Sequence, residues 1–206
     1  MTQALGAILV QEFLRTRRSI RRFTSEPVSG DVLARILETA TYAPSAHNRQ
    51  PWRFAVLTSQ AAKTRLADEM GTDFQRDLLA DGVPPAEADQ MVNRSRQRIV
   101  EAPVVVLLCQ DPTLGDEYPD AARQRAEYIM GLQGVTLAGG TLLLAAHAEG
   151  LGGVWVCAPL FAQDTVRQAL ALPEKWEPQG MLLLGYPAKI PSPRRRRPVE
   201  EVALYL

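Results

Sequence analysis

The residues best suited to binding chemistry stand in RRSIRRF, Arg17 to Phe23, where four arginines fall within six residues. Charge this dense is rarely buried unless it is paired, so the row faces either open solvent or an anion. Guanidinium suits the anion, because its planar fork of donors matches a phosphate and it stays charged. Ser19 adds a hydroxyl that can reach a phosphate oxygen. The competing reading is a solvated charged turn between two helices, since a short basic run is weak motif evidence. A second run, Arg194 to Arg197, stands near the other end of the chain. In isolation it reads as a polyanion or localisation signal.

The elements that position these residues follow from periodicity. Leu5, Ile8, Leu9 and Phe13 recur at helical spacing and predict an amphipathic helix over 3–15, leading into the arginine row. Pro27 breaks the chain. Ser29 can cap a second helix with Leu33, Ile36, Leu37 and Ala40 on one face and Asp31 in its first turn. Tyr42 to Pro51 is rich in turn residues, and 53–57 reads as a strand. Helices are predicted over 60–70 and 85–99, separated by DGVPP. The second is polar and Arg-rich, which favours a solvated face over a lid. Val104 to Cys109 has the unbroken apolar character of a buried central strand.

The longest predicted element runs from Asp120 to Gly150, with no charged residue between Ile129 and Ala148. About 20 such residues could span a bilayer. Gln133, Thr136, Thr141, His147 and the glycines at 131, 134, 139 and 140 point instead to a core helix that another helix can approach closely. Gly150, Gly152 and Gly153 predict a turn, Val154 to Cys157 a strand ended by Pro159, 163–171 a short helix and Met181 to Leu184 a buried strand.

Composition bounds the function. A chain of 206 residues, 46% hydrophobic and 22% charged, fits a single domain over 1–206. Lys+Arg and Asp+Glu both number 23, which argues against a nucleic-acid binder. Cys109 and Cys157 sit in apolar runs and read as reduced core thiols of a cytoplasmic protein. His47 and His147 have no ligand-spaced partners, so no metal site is expected. The N-terminus lacks the basic region of a signal peptide.

With the loop APSAHNRQPWRFAVL added to the arginine row, the chain resembles the FMN-dependent nitroreductase family. Arg17, Ser19 and Arg21 match its R-x-S-x-R/K segment. Pro44, Ser45, Asn48, Gln50, Pro51 and Trp52 match its P-S-x-x-N-x-Q-P-W loop. EGLGGVWVCAPLF and PSPRRRRP carry the likeness over nearly the whole chain. The resemblance implies an α+β sandwich, a central mixed sheet wrapped by helices in an intertwined homodimer, with FMN at the interface. Arg17, Arg18, Ser19 and Arg21 would meet Arg194 and Arg196 at the flavin, Arg21 toward the ring. Pro44, Ser45, Ala46 and Asn48 would come from the other subunit. Cys157, Ala158 and Pro159 would lie against the ring through their backbone, and Val199 to Leu206 would add a strand to the partner's sheet.

The implied activity passes hydride from NAD(P)H through FMN to a small oxidised acceptor of nitro, quinone or enone type. No catalytic side-chain acid or base is expected. Among family members, the chain looks most similar to stand-alone relatives of the FMN domain fused to the ligase of deazaflavin-coenzyme biosynthesis, which reduces a dehydro precursor. A flavin-binding or flavin-cleaving protein without NAD(P)H turnover is the other alternative.

Overall fold

The computed structural model describes residues 2–206, with side chains from Leu5 onward. Helix α1 (Thr2–Thr16) delivers the chain into the extended arginine row. The next helix, α2 (Gly30–Ala40), starts where Ser29 Oγ accepts from the Val32 N–H at 3.3 Å, and it buries Leu33, Ile36 and Ala40. Strand β1 (Trp52–Leu57) follows the turn-rich loop.

Two helices then form a hairpin. Ser59 caps α3 (Gln60–Ala80), and α4 (Pro85–Glu101) has proline in its first turn, where the missing N–H costs nothing. The break at DGVPP is where expected, but α3 runs ten residues past the predicted end at 70. Helix α4 is solvated over most of its surface, as expected, but it docks on α3 along one side. Ala88 and Ile99 are buried, and Arg96 reaches Asp68 of α3 at 2.5 Å. Gly71 makes the approach close, since a Cβ there would lie 3.3 Å from Val92 Cγ1.

All seven residues of β2 (Val104–Gln110) are buried. Asp120 caps α5 (Ala121–Ala148), after which come β3 (Gly152–Val156), α6 (Gln163–Ala169) and β4 (Glu177–Gly185). The sheet order is β1-β2-β4-β3, every neighbour antiparallel. Where a mixed sheet was expected, the four strands are wholly antiparallel, and the one parallel pairing among the described residues is an isolated bridge outside them, Ser19 to Gly153. Side chains alternate across the pleat. Val104, Val106 and Leu108 face α2 and α5, while Val105, Leu107 and Cys109 face α3, α4 and α6.

By length and composition α5 could cross a membrane. Here it buries Val135, Ala138, Leu142 and Ala146 in the first of those cores. Gly139 lets it lie on the sheet: a Cβ would stand 2.6 Å from Leu108 Cδ1.

Two further expectations change. The turn after α5 is made by Gly150 alone, at φ +77°, while Gly152 and Gly153 belong to β3. Cys157, expected in a buried strand, is exposed, because β3 ends at Val156 and Cys157 turns into the right-handed helical region. Residues 199–206 form one 3-10 turn followed by exposed, irregular chain.

Candidate functional site

The arginine row is held as an added edge of the sheet. Ile20 is 4% exposed and donates its N–H to the Gly153 carbonyl at 3.0 Å. Thr24 N–H then donates to the Tyr186 carbonyl at 2.9 Å, and Ala188 N–H to the Arg22 carbonyl at 3.0 Å. The chain leaving β4 therefore runs beside the row, and the two ends of the sequence meet.

Their meeting forms a cleft of ≈ 530 Å³, with Arg18, Ser19, Arg21 and Arg22 facing Lys189, Ser192 and Arg194. No carboxylate lines it. None of its basic side chains makes an ion pair among the described residues. Arg18 Nη1 donates to the Arg15 and Arg17 carbonyls, and Arg21 Nη1 to the Ser19 carbonyl at 3.4 Å. Such an unneutralised concentration of cations with two hydroxyls suits a doubly charged phosphate.

Arg17 does not line this cleft. It faces a neighbouring hollow of ≈ 230 Å³ with Thr16 and His147. Burial, helped by the charges of Arg17 and Arg18, pushes the His147 imidazole below its ordinary value. Arg196 is exposed and outside both hollows. Arg22, Lys189 and Ser192 were missed by the sequence reading. The only signal for Arg22 was its place in the row, and Lys189 and Ser192 gave none.

Arg21 is shared with a further hollow of ≈ 230 Å³, floored by Val154, Trp155 and Val156 of β3 and walled by Ser95, Arg98 and Ile99 of α4. The strand leads to Cys157 and the 3-10 turn Ala158–Phe161. Ser95 and Ile99 also line an apolar cleft of ≈ 370 Å³ with Met70, Phe74, Ala158 and Phe161. A cationic cleft, a hollow along β3 and an apolar cleft thus adjoin through shared residues. Helix α4 supplies walls that its polar sequence did not announce.

The loop carrying Pro44, Ser45, Ala46 and Asn48 lies elsewhere. It precedes β1, and β1 and β3 are opposite edges of the sheet. His47, Asn48 and Gln50 all adopt positive φ near 50°, a conformation disfavoured outside glycine. The loop is held by Ser45 Oγ accepting from the Gln50 N–H at 3.0 Å. It packs on α5 at Gly134, where a Cβ would lie 3.1 Å from Pro51 Cγ. Within one chain, Arg18, Ser19, Arg21 and Arg194 come together, Cys157, Ala158 and Pro159 follow Val156 of the β3 hollow in sequence with Ala158 lining the apolar cleft, and the loop residues stay apart.

The sequence profile described as the Nitroreductase family matches residues 14–186. A protein named NADH dehydrogenase from Thermus thermophilus is 33% identical over 215 aligned positions, covering 92% of each chain. A nitroreductase from Desulfovibrio desulfuricans, solved in complex with FMN, superposes with a TM-score of 0.72 at 29% identity, covering 96% of each chain. A BluB-like flavoprotein from Clostridium difficile shares the fold, with a TM-score of 0.77 at 24% identity over 96% of this chain and 98% of that one.

Proposed function

Since this chain belongs to the nitroreductase family, we propose that its arginine cleft holds the phosphate of FMN. The protein would then act as one domain passing hydride from NAD(P)H to a small oxidised acceptor of nitro, quinone or enone type. The observation that carries this is the convergence of Arg18, Ser19 and Arg21 with Lys189, Ser192 and Arg194 on a cleft without carboxylates.

The residues fit the group. Arg18, Arg22, Lys189 and Arg194 would bind the phosphate, and Ser19 and Ser192 would donate to its oxygens. The hollow along Val154 to Val156 that shares Arg21 fits a planar ring, and the turn at Cys157 to Pro159 would close its far end. FMN, when bound, supplies the hydride chemistry, and the protein supplies orientation and electrostatics. Arg21 lines both hollows and would place a fixed cation where negative charge grows on reduction. Met70, Phe74, Ile99 and Phe161 would hold an apolar acceptor and exclude water beside the ring.

A homodimer completes the site. The loop of Pro44, Ser45, Ala46 and Asn48 cannot reach the cleft of its own chain, so it would serve the partner's flavin. Exposed Leu137 of α5, Ile8 and Leu9 of α1, and Val202 and Leu204 near the C-terminus offer the apolar surface such a dimer would cover. With α5 inside that assembly, the protein would work in the cytoplasm.

The test is steady-state oxidation of NADH and NADPH by the FMN-loaded protein with nitroaromatic, quinone and enone acceptors. Turnover above free FMN with at least one acceptor is expected. No turnover with any acceptor would leave a flavin-binding protein and refute the oxidoreductase reading.

A further inference from the structure

Beneath the flavin-loop residues, on the opposite edge of the molecule from the arginine cleft, lies a cavity of ≈ 40 Å³ lined by Ala46, Arg49, Gln110, Glu127, Tyr128 and Gly131, among others. About 10–15 Å³ is enough for one water-sized occupant, so the space holds something small. Three residues of its wall carry a buried oxygen with no hydrogen-bond partner, Gln110 Oε1, Glu127 Oε2 and Asp111 Oδ2, but Asp111 Oδ2 faces the cations of Arg53 and Lys175 and the other two face none. Gln110 is 1% exposed and Glu127 is 7% exposed. Buried polar atoms are almost always satisfied, so the two that face no cation, Gln110 Oε1 and Glu127 Oε2, call for an occupant that both can accept from or coordinate.

The charge balance narrows the choice. Glu127 Oε1 accepts from the Asp116 N–H at 3.2 Å, but no Lys or Arg among the described residues pairs with this carboxylate. The cations nearby are committed elsewhere: Arg49 to Asp116, and Arg53 and Lys175 to Asp111. Tyr128 gives its hydroxyl proton to Glu177 at 2.8 Å. A buried carboxylate without a counter-charge is costly, and a cation removes that cost. Gln110 Nε2 donates to the Tyr128 carbonyl at 3.3 Å, which fixes the amide so that its oxygen, not its nitrogen, is the free atom.

The backbone makes room for both side chains. A Cβ on Gly131 would lie 2.5 Å from Gln110 Nε2, and one on Gly115 would lie 3.0 Å from Glu127 Cγ. The other carboxylate on the wall, Asp111, is already matched by Arg53 and Lys175, so Glu127 leaves a single uncompensated negative charge. One carboxylate and one amide oxygen suit a single positive charge.

We propose that this cavity is a structural site for a small monovalent cation, potassium, sodium or ammonium, held between Glu127 Oε2 and Gln110 Oε1. The ion ties α5 and the end of β2 to the loop after Ser45, whose strained residues then keep their shape. This does not depend on the flavin reading, and its test does not use turnover.

The experiment is thermal unfolding of the purified protein in choline chloride, titrated with KCl, NaCl or NH4Cl at constant ionic strength, together with crystals grown in RbCl. At least one of the three cations should raise the melting temperature saturably, and Glu127→Gln should remove the rise. Rubidium should give an anomalous peak between Gln110 and Glu127. If Glu127→Gln does not fold, Gln110→Leu and the wild-type rubidium map decide the matter. A melting temperature indifferent to the cation with no rubidium peak would assign the cavity to water and overturn the proposal. So would an undiminished rise in a folded Glu127→Gln variant.

Discussion

Ile20 donates its backbone N–H to the carbonyl of Gly153 at 3.0 Å, and that bond fixes where the arginine row lies on the sheet. The contact is possible because the neighbouring residue is also glycine: a Cβ on Gly152 would stand 2.7 Å from Ile20 Cβ and Cγ1. Gly152→Ala should therefore push the row off the edge. Overpacking of this kind costs about 1–3 kcal/mol. The expected result is a lower melting temperature and weaker FMN binding together. Wild-type values for both would mean that the row is anchored by other contacts.

The two thiols should differ sharply. Burial pushes Cys109 up to about 12, while Cys157 is exposed at the end of β3. Thiolate is the reactive form, so an aromatic disulfide reagent at pH 8 should label one cysteine per native chain and two after unfolding. Saturating FMN should slow labelling of Cys157 if the ring ends at this turn. Equal reactivity of both thiols in the native protein would contradict the burial of Cys109.

Asp111 ties β2 to two cations, with Arg53 Nη2 at 3.3 Å and Lys175 Nζ at 3.2 Å from Oδ2. Burial alone would raise this carboxyl. The Thr113 and Lys175 hydrogen bonds and the charges of Lys175 and Arg53 outweigh it and hold the carboxyl below its ordinary 3.8. A depressed folded value means stability that is present above about pH 4 and is lost as pH falls through that folded value. Asp111→Asn should lower stability at pH 7 by about 1.5–3 kcal/mol. It should also flatten the acid limb of the stability–pH curve, as measured by urea unfolding from pH 7 to pH 2. An unchanged acid limb would show that other carboxylates govern it.

Arg21 lines both the cationic cleft and the β3 hollow, so it should tune reduction more than binding. With the ring in the β3 hollow as proposed, removing this cation would disfavour the more negative reduced flavin. Arg21→Ala should lower the FMN midpoint potential by tens of millivolts, about 30 mV for each 1.4 kcal/mol in a two-electron couple. A redox titration of variant and parent, both saturated with FMN, decides the point. A potential within error of the parent would make Arg21 a phosphate or structural residue.

Much of the fold was legible because the signals were local. Ser29 before Leu33 and Ile36 announced α2, and the unbroken Val104 to Cys109 announced the central strand. The failures were tertiary. Gly152 and Gly153 looked like turn residues, since nothing in the sequence shows that Ile20 must lie against them. Cys157 looked like core, because the strand's apolar run outlasts its hydrogen bonding by one residue. Helix α4 is largely solvated as read, but its docked side went unseen, since Ala88, Val92 and Ile99 make too thin a stripe to reveal the hairpin with α3. The arginine row and the 194–197 run were visible as motifs. Their meeting depends on the Ala188 to Arg22 hydrogen bond, so the structure distinguishes Arg18 and Arg194, which line the cleft, from Arg17 and Arg196, which do not.

The most direct measurement is therefore the affinity of FMN and of riboflavin for the parent protein, Arg18→Ala and Arg194→Ala. Each charge-assisted phosphate contact contributes about 1.5–3 kcal/mol, and about 1.4 kcal/mol is tenfold in affinity. Either substitution should weaken FMN binding about tenfold or more while leaving the weaker riboflavin binding nearly unchanged. Unchanged FMN affinity in both variants, or an equal loss for riboflavin, would contradict a phosphate held between the two ends of the chain.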